Sequence, residues 1–143
     1  MTKPQPGPDR PKAFAVDDEW TSDLPFDRLP KGILHFPLEC VVYVPSTRFD
    51  EAISVEEFAA RRQETAEVLV GLFGGCRESL AVGRYRAKNG EVIGEEVAVL
   101  TGFGDADDYE RKRHDLLAWL IDKRDEWGQE ALGFEFEGDL WYL

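Results

Sequence analysis

Basic residues, cysteines, histidines and long apolar runs are all scarce in this chain of 143 residues, and each scarcity excludes something. Lys and Arg total 17 against 29 Asp and Glu, a formal net charge of -12. Such a field repels phosphate backbones, so nucleic acid is a poor partner. Two cysteines, Cys40 and Cys76, are too few for a disulfide framework. His35 and His114 stand far apart with no Cys or His at ligand spacing, so neither a metal site nor a cofactor is expected. No apolar run approaches the roughly 20 residues that a membrane helix needs. The N-terminus shows no apolar stretch between a basic start and a cleavage site, and with so few cysteines the expectation is a reduced, cytoplasmic protein.

What is present suits a folded domain. Hydrophobic residues make up 43% of the chain, with nine Phe, four Trp and four Tyr, enough aromatic surface to offset the entropy of ordering. Residues 1–12 are rich in proline and polar side chains and read as a flexible tail. Residues 13–37 mix apolar anchors with prolines and read as an irregular strap across the domain, with a short strand near 32–36. Residues 38–143 read as the domain itself.

Within it, 38–46 is rich in Val and Tyr and predicts a central strand. A helix follows from Ser54, where Glu57 three residues on suggests a capping box, Val55, Phe58, Ala59, Ala66, Leu69, Leu72 and Phe73 recur at helical spacing, and Gly74 is a stop. Residues 79–88 and 91–103 flank Asn89-Gly90, the pair favoured in a type I′ hairpin turn. Asp105 predicts the cap of a second helix with Tyr109, Leu116, Leu117, Leu120 and Trp127 on one face and Gly128 at its end. Trp119 and Ile121 fall off that face and are candidates for an interface. Residues 132–137 alternate as a strand, and Gly138-Asp139 can turn 140–143 back as a short fifth strand. The resulting class is α+β, a ferredoxin-like split β-α-β-β-α-β sandwich.

If the strands take the order 4-1-3-2 of that plan, Arg48, Glu91, Glu95, Gln129 and Glu130 gather at one edge of the sheet. Gly74, Gly75 and the stretch Gly102 to Gly104 gather at the other, near Cys40 and Cys76. Glu95 is in phase with Val97 and Val99, which suggests a carboxylate turned toward the core and paired with an arginine. The candidate site residues are therefore Glu95 as acid or base, with Arg48, Arg84, Tyr85 and Gln129 as ligand-binding groups. Other constellations have plainer readings. Gly74-Gly75 follows a helix and caps it, the acids at 105–110 suit a helix N-terminus, and Ser46-Thr47-Arg48 suits a hydroxyl-led turn. Arg77, Arg84, Arg86 and Lys88 fit an edge strand guarded by charge.

Phe73-Gly74-Gly75, Gly83-Arg84-Tyr85, Gly90, Glu95 and Gln129-Glu130-Ala131-Leu132 together resemble a diffuse family of small uncharacterised microbial ferredoxin-like proteins. The likeness spans about residues 40–137. It departs at Arg77, where relatives often carry Thr, and at Tyr85, where they carry Trp. The resemblance implies the fold and adds no activity.

Three functions are compatible with these residues. The first is a small acidic interaction or regulatory module that self-associates, or binds a protein partner, without catalysis. An alternative is a small-molecule-binding domain or enzyme using a Glu/Arg site at the sheet edge. A third is an acidic inhibitor that imitates nucleic acid, against which the basic residues Arg111, Lys112 and Arg113 on the second helix argue.

Overall fold

A computed structural model describes residues 35–143. The tail over 1–12 and the strap up to residue 34 lie outside the described residues, and His35, Phe36 and Pro37 adopt no regular structure. The elements run β1 (Leu38–Pro45), β2 (Thr47–Arg48), β3 (Glu51–Ala52), α1 (Val55–Phe73), β4 (Cys76–Arg86), β5 (Val92–Gly104), α2 (Ala106–Glu126), β6 (Gly133–Phe136) and β7 (Asp139–Tyr142). Five strands form one antiparallel sheet in the order β4-β5-β1-β6-β7, while β2 and β3 pair separately. The protein is thus an α+β domain with a five-stranded sheet and two long helices. No described helix is long and apolar enough to cross a membrane.

β1 takes the centre because its Val-rich run can be covered on both sides. Side chains alternate across a strand, and Cys40, Val42 and Val44 face the helices opposite Gly102, Leu100 and Ala98 of β5. Leu69 of α1, Leu116 and Leu120 of α2, and Trp127 complete this buried layer. Val41 and Thr101 lie on the opposite face and are also buried.

α1 starts at Ser54, whose side chain accepts from the Glu57 N–H at 3.0 Å, and ends at Gly74 in the left-handed region. The reciprocal half of a capping box is absent, because the Glu57 carboxylate turns instead to Arg48 and Arg61. Val55 and Ala59, expected on the buried face, are exposed, and Arg61 and Thr65 take their place between Phe58 and Leu69. α2 is capped as expected, with the Asp105 carboxylate accepting from the Asp108 N–H at 2.8 Å.

The hairpin turns correct the expectation at Asn89-Gly90. A type I′ turn needs positive φ at both central residues, and here only Gly90 has it, at 88°. The Gly90 N–H donates to Ala87 O at 2.9 Å and the Ala87 N–H to Glu91 O at 2.7 Å, a three-residue loop closed by a glycine bulge. The doubly positive pairs are Phe49-Asp50, joining β2 to β3, and Glu137-Gly138, joining β6 to β7. The second makes the short C-terminal strand, which Leu143 secures by exchanging hydrogen bonds with Leu132.

Candidate functional site

The chain leaves β1 at Pro45 and must pass between the N-terminus of α1 and the C-terminus of α2, exposing several carbonyls to a dry interior. Arg61, only 2% exposed, resolves this from α1. It donates to Pro45 O at 2.8 Å and Thr47 O at 2.9 Å, reaches Trp127 O at 3.4 Å, and lies over the Trp127 ring. Burial lowers its pKa, and the neighbouring Glu57 carboxylate opposes that shift. Gln129 converges on two of the same acceptors, donating to Thr47 O at 2.7 Å and Trp127 O at 3.0 Å.

Outside this plug, Arg48 bonds to the Glu57 carboxylate and donates to Glu126 O at 2.5 Å, fastening the β2–β3 hairpin to both helices. The Phe49 N–H donates to Gly128 O at 3.1 Å. Phe49 and Asp50 hold φ of 49° and 67°, and the Phe49 ring is largely exposed. A bulky residue in this region is strained, and only the surrounding bonds keep it there.

The polar cluster continues onto the sheet face turned away from the helices. Thr47 Oγ1 donates to the Glu95 carboxylate at 3.2 Å, and Ser46 Oγ donates to Glu96 O at 2.6 Å. The Tyr85 phenol is pushed up by partial burial, then by the Glu95 and Asp50 carboxylates, so those three groups share one neighbourhood. Glu95 therefore bonds to Thr47 and, like Asp50, bears on the Tyr85 phenol, and no arginine is bonded to it among the described residues.

This placement corrects the phase assigned to Glu95. Ala98 and Leu100 face the helices and are fully buried, whereas Glu95, Val97 and Val99 lie on the other face and are half-buried. Arg84 and Tyr85 are adjacent in a strand and so project to opposite faces. Tyr85 stands on the Glu95 side, and Arg84 does not. Glu91 sits at the tip of the β4–β5 hairpin rather than at the sheet edge, because β5 is long and starts beyond the helices. Gln129 and Arg48 do arrive at this corner, yet both are committed to backbone or to Glu57. Glu130 is exposed.

Trp119 is not a free surface anchor. It meets Trp127 edge-on with ring centroids 6.1 Å apart, and the Lys123 ammonium lies over it at 5.5 Å. Ile121 remains exposed. Arg61 and Asp50 were not singled out from sequence, and Thr47 only as part of a hydroxyl-led turn. For Arg61 the signal was present, since it and Thr65 fall in the helical phase of Phe58 and Leu69. Among the described residues, no group of three or more His, Cys, Asp or Glu side chains is placed to hold a metal ion.

Chemically the corner presents two carboxylates and a phenol, with its nearby cations already bonded to protein. That arrangement favours a cation over an anion. No protein-family model matches the chain. No curated protein matches it either. Among solved structures it is similar to a phage SAM lyase in complex with S-methyl-5′-thioadenosine, with a TM-score of 0.57 and 13% identity, covering 80% of this chain and 95% of that one. The phage SAM lyase in its apo state gives a TM-score of 0.53 and 14% identity, covering 80% and 94%. At this identity the likeness concerns the fold.

Proposed function

We propose that this protein is an interaction module that self-associates, built on a ferredoxin-like split β-α-β-β-α-β domain and working in the cytoplasm. The strand order β4-β5-β1-β6 supports the fold assignment, being the order 4-1-3-2 read from the other edge. The observation that carries the function is the β4–β5 hairpin. Leu80, Val82 and Val92 lie on one face of it, beyond the cover of the helices, and are 53%, 57% and 59% exposed. Three large apolar side chains grouped on a projecting ribbon mark a surface that a partner covers. The crevice lined by Leu38, Cys40, Phe73, Tyr109 and Phe136 at the opposite end of β1 does not admit water and so offers no room for a ligand there. The test is native mass spectrometry of the purified chain across a dilution series. An oligomer that dissociates on dilution is expected, and a monomer throughout overturns self-association.

A second reading rests on Glu95, Asp50 and Tyr85. A carboxylate pair beside an aromatic ring suits an organic cation, and the similar phage lyase acts on S-adenosylmethionine, a sulfonium cation. Titration calorimetry with S-adenosylmethionine and with S-methyl-5′-thioadenosine, alongside chromatography for turnover, decides it. Binding by the parent chain that falls at least roughly tenfold in Glu95→Gln is expected, since the charge–cation contact is lost. No binding of either compound removes this reading.

A further inference from the structure

We propose that two copies of this chain pair through the outer edge of β4, antiparallel about a two-fold axis centred on Ala81, to make one continuous ten-stranded sheet. The inference rests on the self-association reading and names its partner and register. β4 is the longest free edge of the sheet, 11 residues with no strand beyond it among the described residues. Such an edge offers a row of unpaired N–H and C=O groups. A two-fold antiparallel pair must place one residue opposite its own copy, so the register is fixed by choosing that residue.

Centring on Ala81 makes the strand self-complementary. Glu78 then faces Arg84 of the second copy, Leu80 faces Val82, and Arg77 faces Tyr85, each pair occurring twice. The first two pairs lie on the helix side and the third on the other side, as strand alternation from the Cys76–Gly102 pair requires. No two like charges oppose each other. Cross-strand pairs of these kinds are the units that stabilise a sheet. Moving the centre to Leu80 sets Glu78 against Val82, and moving it to Val82 keeps a charge pair, Glu78 with Arg86, but sets Leu80 against Arg84.

The monomer leaves these groups available. Arg84 has no ionic partner among the described residues, and Glu78 uses Oε2 for Arg62 at 2.5 Å, leaving Oε1. Leu80 and Val82 are the exposed apolar pair already described. Arg77 lies 5.2 Å over Phe103 within its own sheet, on the face where Tyr85 of the second copy would arrive. Of the neighbouring registers, the one centred on Ala81 is thus the one that matches the charged pair and the apolar pair at once.

The experiment combines light scattering on the full chain with an oxidative cross-link. Ala81→Cys should form a disulfide-linked dimer under mild oxidation, because only this residue meets itself. Arg84→Glu, and separately Glu78→Arg, should raise the dimer dissociation constant by roughly tenfold or more, since each change acts twice and turns attraction into repulsion. The double exchange Glu78→Arg with Arg84→Glu should restore it, which a merely misfolded single variant would not allow. An oligomer that persists in Arg84→Glu, or that fails to cross-link through Cys at 81, overturns this interface while leaving self-association standing. A parent chain that is monomeric at every concentration overturns both.

Discussion

The two ends of β1 solve the same problem by opposite means. At its start, the Phe73 ring presses onto β5 where Gly102 and Gly104 offer no side chain. A Cβ at Gly104 would stand 2.9 Å from the ring and one at Gly102 3.0 Å. Tyr109 and Phe136 stack there with centroids 4.0 Å apart, and the crevice they share with Leu38 and Cys40 does not admit water. At its end, the same sheet meets Arg61, Gln129, Arg48 and Glu57, and cohesion comes from matching donors to acceptors. One end is specified by atoms that are missing and the other by polar atoms that are paired. The first tolerates little added volume. The second tolerates little lost hydrogen bonding, because a buried carbonyl without a donor costs its full desolvation.

The largest effect is expected from breaking the polar end. Arg61→Ala removes the side-chain donor of Pro45 O, leaves Thr47 O and Trp127 O to Gln129 alone, and should cost about 3 kcal/mol in urea unfolding. Truncation should also disturb the pH response. The hydrogen bond from Arg48, above all, holds the Glu57 carboxyl below its ordinary value. A depressed carboxylate stabilises the fold above the unfolded pKa, near about 4.3, and that contribution is lost as pH falls through the folded value. Arg48→Gln should therefore flatten the acid side of the stability profile below about pH 4–5, where protonation of Glu57 removes its contribution in the parent chain.

The dry end should be the next most sensitive. Gly104→Val drives two methyl groups toward the Phe73 ring and should cost about 1–3 kcal/mol by overpacking. Phe73→Leu in the same chain should return part of that loss, measured by the same unfolding curves. If the double change is simply additive, the ring is not what the glycine accommodates, and the contrast between the two ends fails.

These contrasts also explain what could be read from sequence. Helices and strands followed periodicity and caps, since Ser54, Gly74 and Asp105 act through bonds to their own neighbourhood. The face of Glu95 did not. Val97, Ala98, Val99 and Leu100 are all apolar, so a central strand buried on both sides carries no alternation to fix its phase. The tight turn at Phe49-Asp50 was equally hidden, because neither residue favours positive φ as strongly as glycine. Its conformation is imposed by Gly128 and Arg48 from distant parts of the chain. Arg61 was legible only as an arginine in a core phase, a local conflict that tertiary contacts resolve.

The smallest effect concerns the two thiols and tests the dry end without perturbing it. Cys40 and Cys76 both lie opposite Gly102, one on each side of β5, so their Cα atoms are two strand spacings apart, about 9–10 Å. That separation exceeds what a disulfide can bridge, and both are free cysteines. Burial pushes the Cys40 thiol up to about 12, against the backbone hydrogen bond from Gly102 that favours the thiolate. Cys76 is raised too, by burial first and then by Glu78, so the adjacent Arg77 does not make it a reactive nucleophile. A thiol reagent at pH 8 should label Cys76 slowly in the folded chain and Cys40 only as the protein unfolds. Cys40 labelling should therefore follow the unfolding free energy and speed up in Gly104→Val, which loosens its wall. If Cys40 reacts as fast as Cys76 in the native protein, water reaches that crevice, and the two ends of β1 are less different than their geometry implies.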